Sequence, residues 1–99
     1  MAKQVSLSVN DVPIQLDYFV EEYIDHVIGG ILASLKDTGE IENMELLIDD
    51  GGEVSISLNN NEIPLKYFPN EIIKSTVMGM VSPLKGVKEV NKLKIKIGR

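Results

Sequence analysis

The sequence predicts an α+β fold: a tandem ββαβ duplication closing into one two-layer sandwich, six strands with two helices on one face, related by pseudo-two-fold symmetry. Three observations lead there. Sliding the 99-residue chain along itself by 49 positions lays residues 5–50 over residues 54–99 with 15 identities in 46 pairs and no gap. Within each copy, apolar residues alternate, then recur every three or four positions, then alternate again, the periods of strand, helix and strand. A copy of about fifty residues would bury too little surface to be stable alone, so the two are expected to share one core as a single domain, residues 1–99. An elaborated ferredoxin-like βαββαβ plan is the alternative, a likeness of topology that carries no function.

Val5, Leu7 and Val9 alternate with polar residues, Asn10-Asp11 interrupts, and Val12, Ile14 and Leu16 alternate again. This is a hairpin with a two-residue turn, because Asn and Asp tolerate positive φ. Its register sets Val9 against Val12, Leu7 against Ile14 and Val5 against Leu16, all on one face. The second copy repeats it around Asn59-Asn60, pairing Ile56 with Ile63 and Val54 with Leu65, with Asn61 as the one lapse. Pro13 and Pro64 suggest that each second strand is an edge.

A helix follows in each copy. Phe19, Val20, Tyr23, Ile24, Val27, Ile28, Ile31, Leu32 and Leu35 recur at helical spacing, with Glu21, Glu22, Asp25 and His26 between them. Phe68, Ile72, Ile73, Thr76, Val77, Met80, Val81 and Leu84 repeat the stripe. Asp17 is a candidate cap for the first helix, and Pro69 suits the first turn of the second. Gly39 and Gly86 are the expected ends, with Pro83 breaking the last turn of the second helix. Gly30 and Gly79 occupy equivalent places inside the helices. A mid-helix glycine costs about 1 kcal/mol relative to alanine, so close helix packing is expected at both. Each copy closes on a strand, Met44-Leu46-Ile48 and Leu93-Ile95-Ile97. Asp49-Asp50-Gly51-Gly52-Glu53 joins the copies as a tight turn. Pairing the third strand with the fourth then asks, by symmetry, that the sixth pair with the first, which would interlock the halves.

Composition narrows function. No apolar run approaches the ~20 residues of a membrane span, and the N-terminal MAKQVSLSV alternates like a strand and has no apolar leader, so the cytoplasm is the expected location. The chain has no cysteine, which removes disulfides, thiolate nucleophiles and zinc-thiolate sites. The net charge of −5 hides a split: residues 1–49 carry two lysines against ten carboxylates, and residues 50–99 carry eight basic residues against five. Halves of opposite charge attract each other and disfavour self-pairing; surface drift after duplication is the equal alternative.

No pattern of a nucleotide-binding loop, a nucleophile elbow or a metal-binding helix occurs. His26 is the only histidine and has no second histidine or cysteine to complete a site, so it is expected on the surface. The spacing of Asp49, Asp50 and Glu53 does not match a calcium loop. No catalytic residue, cofactor or metal is therefore expected, and an enzyme is the less favoured reading. Lys92, Lys94 and Lys96 make one face of the last strand basic. That stripe could bind nucleic acid, but an acidic chain with five aromatics clustered at the helix starts lacks the usual basic, stacking footprint. Pairing with Glu40, Glu42 and Glu45 of the other half, or plain solubility, is preferred. Tyr18-Phe19 and Tyr67-Phe68 recur between hairpin and helix, where they are expected to plug the end of the core or line a ligand pocket or interface.

The second copy, with Asn60, Ile63, Leu65 and Phe68 ahead of the stretch Gly79, Met80, Val81, Ser82, Leu84, Lys85, Gly86 and Val87, resembles small uncharacterised prokaryotic proteins. The resemblance implies a single-unit relative that works as a homodimer, with this chain as its fused form, and it implies no activity. The leading functional expectation is a non-enzymatic module that binds another protein or further copies of itself through strand edges or a helix face. Binding of a small ligand on the pseudo-axis between Tyr18 and Tyr67, and nucleic-acid binding through the lysine strand, are the alternatives.

Overall fold

The computed structural model describes residues 4–35, 42–65 and 67–98, with the side chains of Tyr67 and Phe68 outside that description. In chain order the elements are β1 (Gln4–Val9), β2 (Val12–Ile14), α1 (Tyr18–Ser34), β3 (Asn43–Ile48), β4 (Val54–Leu58), β5 (Asn61–Ile63), α2 (Tyr67–Val81) and β6 (Leu93–Gly98). The strands form one open sheet in the order β2-β1-β6-β3-β4-β5, antiparallel throughout. Each half's last strand thus lies between strands of the other half, the interlocking that the turn between the copies required.

The ladders obey the 49-residue shift. Val5 pairs with Ile97 and, one shift away, Val54 pairs with Ile48. In the centre Leu46 pairs with Ile95, and the shift exchanges these two residues. The pseudo-two-fold axis therefore passes through the Leu46–Ile95 pair. Burial follows the same rule. Val5, Leu7, Val9, Ile24, Ile28, Leu32, Met44, Leu46 and Ile48 are buried, and so is every residue 49 positions on. All belong to one cluster between the helices and one face of the sheet, which leaves the other face open. The molecule is accordingly a thin slab with principal extents of 35 × 35 × 18 Å.

The turns take the geometry that their residues allow. Asn10 and Asp11 have φ of 53° and 67°, Asn59 and Asn60 have 51° and 68°, so both hairpins close on two left-handed residues. The strands after them are shorter than the alternation predicts. β2 and β5 leave the ladder after Ile14 and Ile63, so Leu16 and Leu65 do not pair with Val5 and Val54. They pack instead against the margin of the core. Val12 lies 57% exposed, beyond the cover of the helices, so Asn61 at the equivalent place is no lapse.

Asp17 caps α1: its Oδ1 accepts from the Val20 N–H at 2.9 Å. α2 begins at Tyr67, two residues before Pro69, whose missing N–H would have had no helical acceptor in the first turn. α1 stops at Ser34, one residue before Leu35, which turns to an extended conformation. α2 stops at Val81, because Pro83 disfavours helical geometry at Ser82. Gly86, with φ of 89°, serves a later turn rather than the helix end, and Gly39 lies outside the described residues. Asp25 is 6% exposed and not among the outer polar positions where the stripe puts it. Among the described residues no buried side-chain polar atom lacks a hydrogen-bond partner.

Candidate functional site

Among the described residues no cluster of three histidine, cysteine or carboxylate side chains could hold a metal ion. His26 is exposed, its Nδ1 2.7 Å from the Glu22 carbonyl oxygen. The Asp49 carboxylate is occupied by its own turn, with Oδ1 accepting from the N–H groups of Gly51 and Glu53, each at 2.9 Å. No described helix is long and apolar enough to cross a membrane.

The open face of the sheet carries the lysine strand. Lys96 lies opposite Glu45 and forms an ion pair with it at 3.5 Å. Lys92 reaches Asp11 at 2.7 Å, and that hydrogen bond, followed by the charge of the same carboxylate, holds the lysine pKa above its ordinary value. Both pairs join a lysine of the second half to a carboxylate of the first. Lys94 faces Leu47. The stripe is thus partly neutralised across the halves rather than offered as a basic track.

Two depressions lie on this face, and the pseudo-axis relates them. Ser6, Asn43, Glu45, Ser57, Asn60 and Lys96 line one of about 440 Å³. Ser55, Lys92, Lys94, Ser8, Asp11 and Leu47, each 49 positions from its counterpart, line another of about 250 Å³. They exist because the rows Ser6–Lys96–Glu45–Ser57 and Ser8–Lys94–Leu47–Ser55 end in short serine side chains on both sides. The largest-scale symmetry thus sets two sites off the axis, while Leu46 and Ile95 on the axis are themselves fully buried. The four serines are identical between copies, a signal available in the aligned repeat but not used in reading it.

The sheet edges are blunted against further strands. A two-residue turn makes Val9–Val12 and Leu7–Ile14 the hydrogen-bonded pairs, so the backbone of Pro13 between them points outward. Proline has no N–H to offer there. On β5 the outward positions are Glu62 and then Pro64, a charge followed by a second missing donor.

The helix layer is different. Tyr18 is 77% exposed, Phe19 72%, Tyr23 51% and Ile72 48%. Tyr18 and Phe19 therefore do not plug the core: they are the first residues of α1 and point away from the sheet. Phe19 and Tyr23 stack with ring centroids 6.1 Å apart. The side chains of Tyr67 and Phe68 lie outside the described residues. Gly30 and Gly79 are not sites of close packing among the described residues. None of these would lie within 4 Å of a Cβ built on either glycine, because both lie on the exposed, outer side of their helices. Between the C-terminal end of α1 and the N-terminal end of α2 an apolar cleft of about 250 Å³ opens, lined by Ile31, Ser34, Leu35, Pro69, Ile72 and Ile73. Its residues also show that the two helices run antiparallel.

No protein-family model, curated protein or solved structure matches the chain.

Proposed function

We propose that the protein is a non-enzymatic interaction module whose docking surface is the outer face of the helix layer. The observation that carries this reading is the exposed Phe19–Tyr23 stack beside Tyr18. At roughly 150–250 Å² per aromatic side chain, these three rings leave several hundred square ångströms of apolar surface in water. A patch of that size equals the largest on a typical soluble monomer, and such patches are often functional. The proline- and charge-blunted edges argue against strand addition, and the paired lysines argue against a nucleic-acid track. Replacing Phe19 and Tyr23 by serine should abolish association while leaving the circular dichroism spectrum and melting temperature nearly unchanged. Association that survives this double change, or that is lost instead on substituting Pro13 or Glu62, would refute the helix face.

A second reading, small-ligand binding, draws support from the paired serine-lined depressions rather than from the pseudo-axis. Polar solutes screened by thermal shift, with Ser6→Leu and Ser55→Leu as controls that fill each depression, test it. A screen without any ligand-dependent shift removes it.

A further inference from the structure

We infer that the partner of the helix face is a second copy of this chain, docked about a two-fold axis that lays α1 antiparallel on α1 of the other molecule. The inference rests on the helix face being the docking surface and adds the identity of its occupant. Its basis is that the face carries both a knob and a hole. The knob is the Phe19–Tyr23 stack at the N-terminal end of α1. The hole is the apolar cleft beside Ile31, Ser34 and Leu35 at the C-terminal end of the same helix, about 250 Å³, where a cavity of about 150 Å³ already holds a benzene ring.

An antiparallel pair of α1 helices centred between His26 and Val27 brings these features together twice. Phe19 then meets Ser34 of the second molecule at the mouth of its cleft, Tyr23 meets Gly30, and the two-fold repeats both contacts in reverse. Such a pairing closes on itself as a dimer, because each copy supplies and receives the same groups. It also supplies the missing reason for the helix glycines. Gly30 has open space over it in the single chain, and a helix that approaches from outside needs that space for a tyrosine ring. The same operation sets α2 on α2 with Ile72 over Gly79, since Ile72 and Gly79 stand 49 positions from Tyr23 and Gly30. A face of a 35 × 35 Å slab has room for the ~800 Å² per partner that a stable interface buries, and aromatic anchors seated in apolar pockets are what such interfaces rely on.

Sedimentation of the full chain from about 1 μM to about 1 mM, with two variants, tests the proposal. The wild type should pass from monomer to dimer over this range. Gly30→Lys fills the open space that Tyr23 of the second molecule would occupy from an exposed position and improves helix propensity, so it should melt no lower than wild type yet weaken dimerisation at least tenfold. The native chain has no cysteine, so a Tyr23→Cys, Gly30→Cys chain reports geometry: within one helix these positions are ~10 Å apart, beyond disulfide reach. Oxidation should therefore yield covalent dimers. A wild type that stays monomeric at the highest concentration overturns self-pairing, as does a dimer that is indifferent to Gly30→Lys. If that monomer still loses a partner through Phe19→Ser, Tyr23→Ser, the docking face stands and only its occupant is wrong.

Discussion

Asn10 and Asn59 do more than turn a hairpin. The Asn10 side chain donates to the Glu89 carbonyl at 2.8 Å, and its Oδ1 accepts from the N–H groups of Asn91 and Lys92 at 2.9 and 3.0 Å. Asn59 Oδ1 accepts from Glu42 and Asn43 at 2.8 and 3.1 Å. Each asparagine therefore clamps the entry of the last strand of the opposite half. Glycine is the easiest residue at positive φ but has no side chain to clamp with. Asn10→Gly and Asn59→Gly should thus each lower stability by roughly 1–3 kcal/mol, measured by urea denaturation, whereas a turn-only role would leave stability unchanged. Position and turn chemistry of these residues were legible in the sequence, but the clamp was not, because its partners lie about eighty and seventeen residues away in the chain. Beside it, the Lys92–Asp11 pair is exposed and screened. A lysine whose pKa is raised on folding contributes below its ordinary titration range and loses that contribution as pH climbs through the raised value. A small, salt-sensitive loss of stability above pH about 10 that vanishes in Asp11→Asn is the expected sign.

Strands and helices show how far periodicity reaches. The alternation located β1, β3, β4 and β6, and the three-and-four spacing located both helices, because a core-facing row runs along each (Ile24, Ile28 and Leu32; Ile73, Val77 and Val81), although Phe19, Tyr23 and Ile72 of the same stripe face outward. It overextended β2 and β5, whose last apolar residues leave the ladder and pack loosely at the margin. It also misplaced Asp25, since a helix stripe seen in one dimension does not reveal how broadly the sheet covers it. The edge strands carry an inference of their own. Pro13 removes the outward N–H of β2, so Pro13→Val should restore an open edge and raise the rate of aggregation, followed by light scattering at constant protein concentration, without lowering the melting temperature. Equal aggregation in both proteins would mean that the edge is protected by something other than proline.

For the whole molecule, the two halves are bound to each other more tightly than to themselves. β3 has only β4 and β6 as neighbours, both from the second half, and β6 has only β1 and β3, both from the first. Separate chains of residues 1–50 and 51–99 should therefore fold only when mixed, with recovery of the native circular dichroism spectrum at equimolar ratio. Self-pairing of the second half would set Lys94 directly opposite Lys96, where the fused chain sets Leu47 and Glu45, and like charges directly across a ladder are destabilising. A folded homodimer of residues 51–99 would contradict this account. The charge difference between the copies, which the sequence left open between attraction and drift, coincides with two ion pairs between the halves, Lys96 with Glu45 and Lys92 with Asp11.

The sequence by itself determined the repeat, the alternating core, the two asparagine turns and the pairing of each half's last strand with the other half's hairpin, because each rests on local period or on the symmetry of the repeat; that β6 and β3 meet at the centre of the sheet was decided only in three dimensions. Only the tertiary structure decided which side of each helix the aromatics and glycines occupy, and so whether they close the core or meet a partner. Gly30 and Gly79 look the same in one dimension whether a helix presses on them from within the chain or from outside it. The distinction depends on what lies across from them in space, and the sheet lies on the other side.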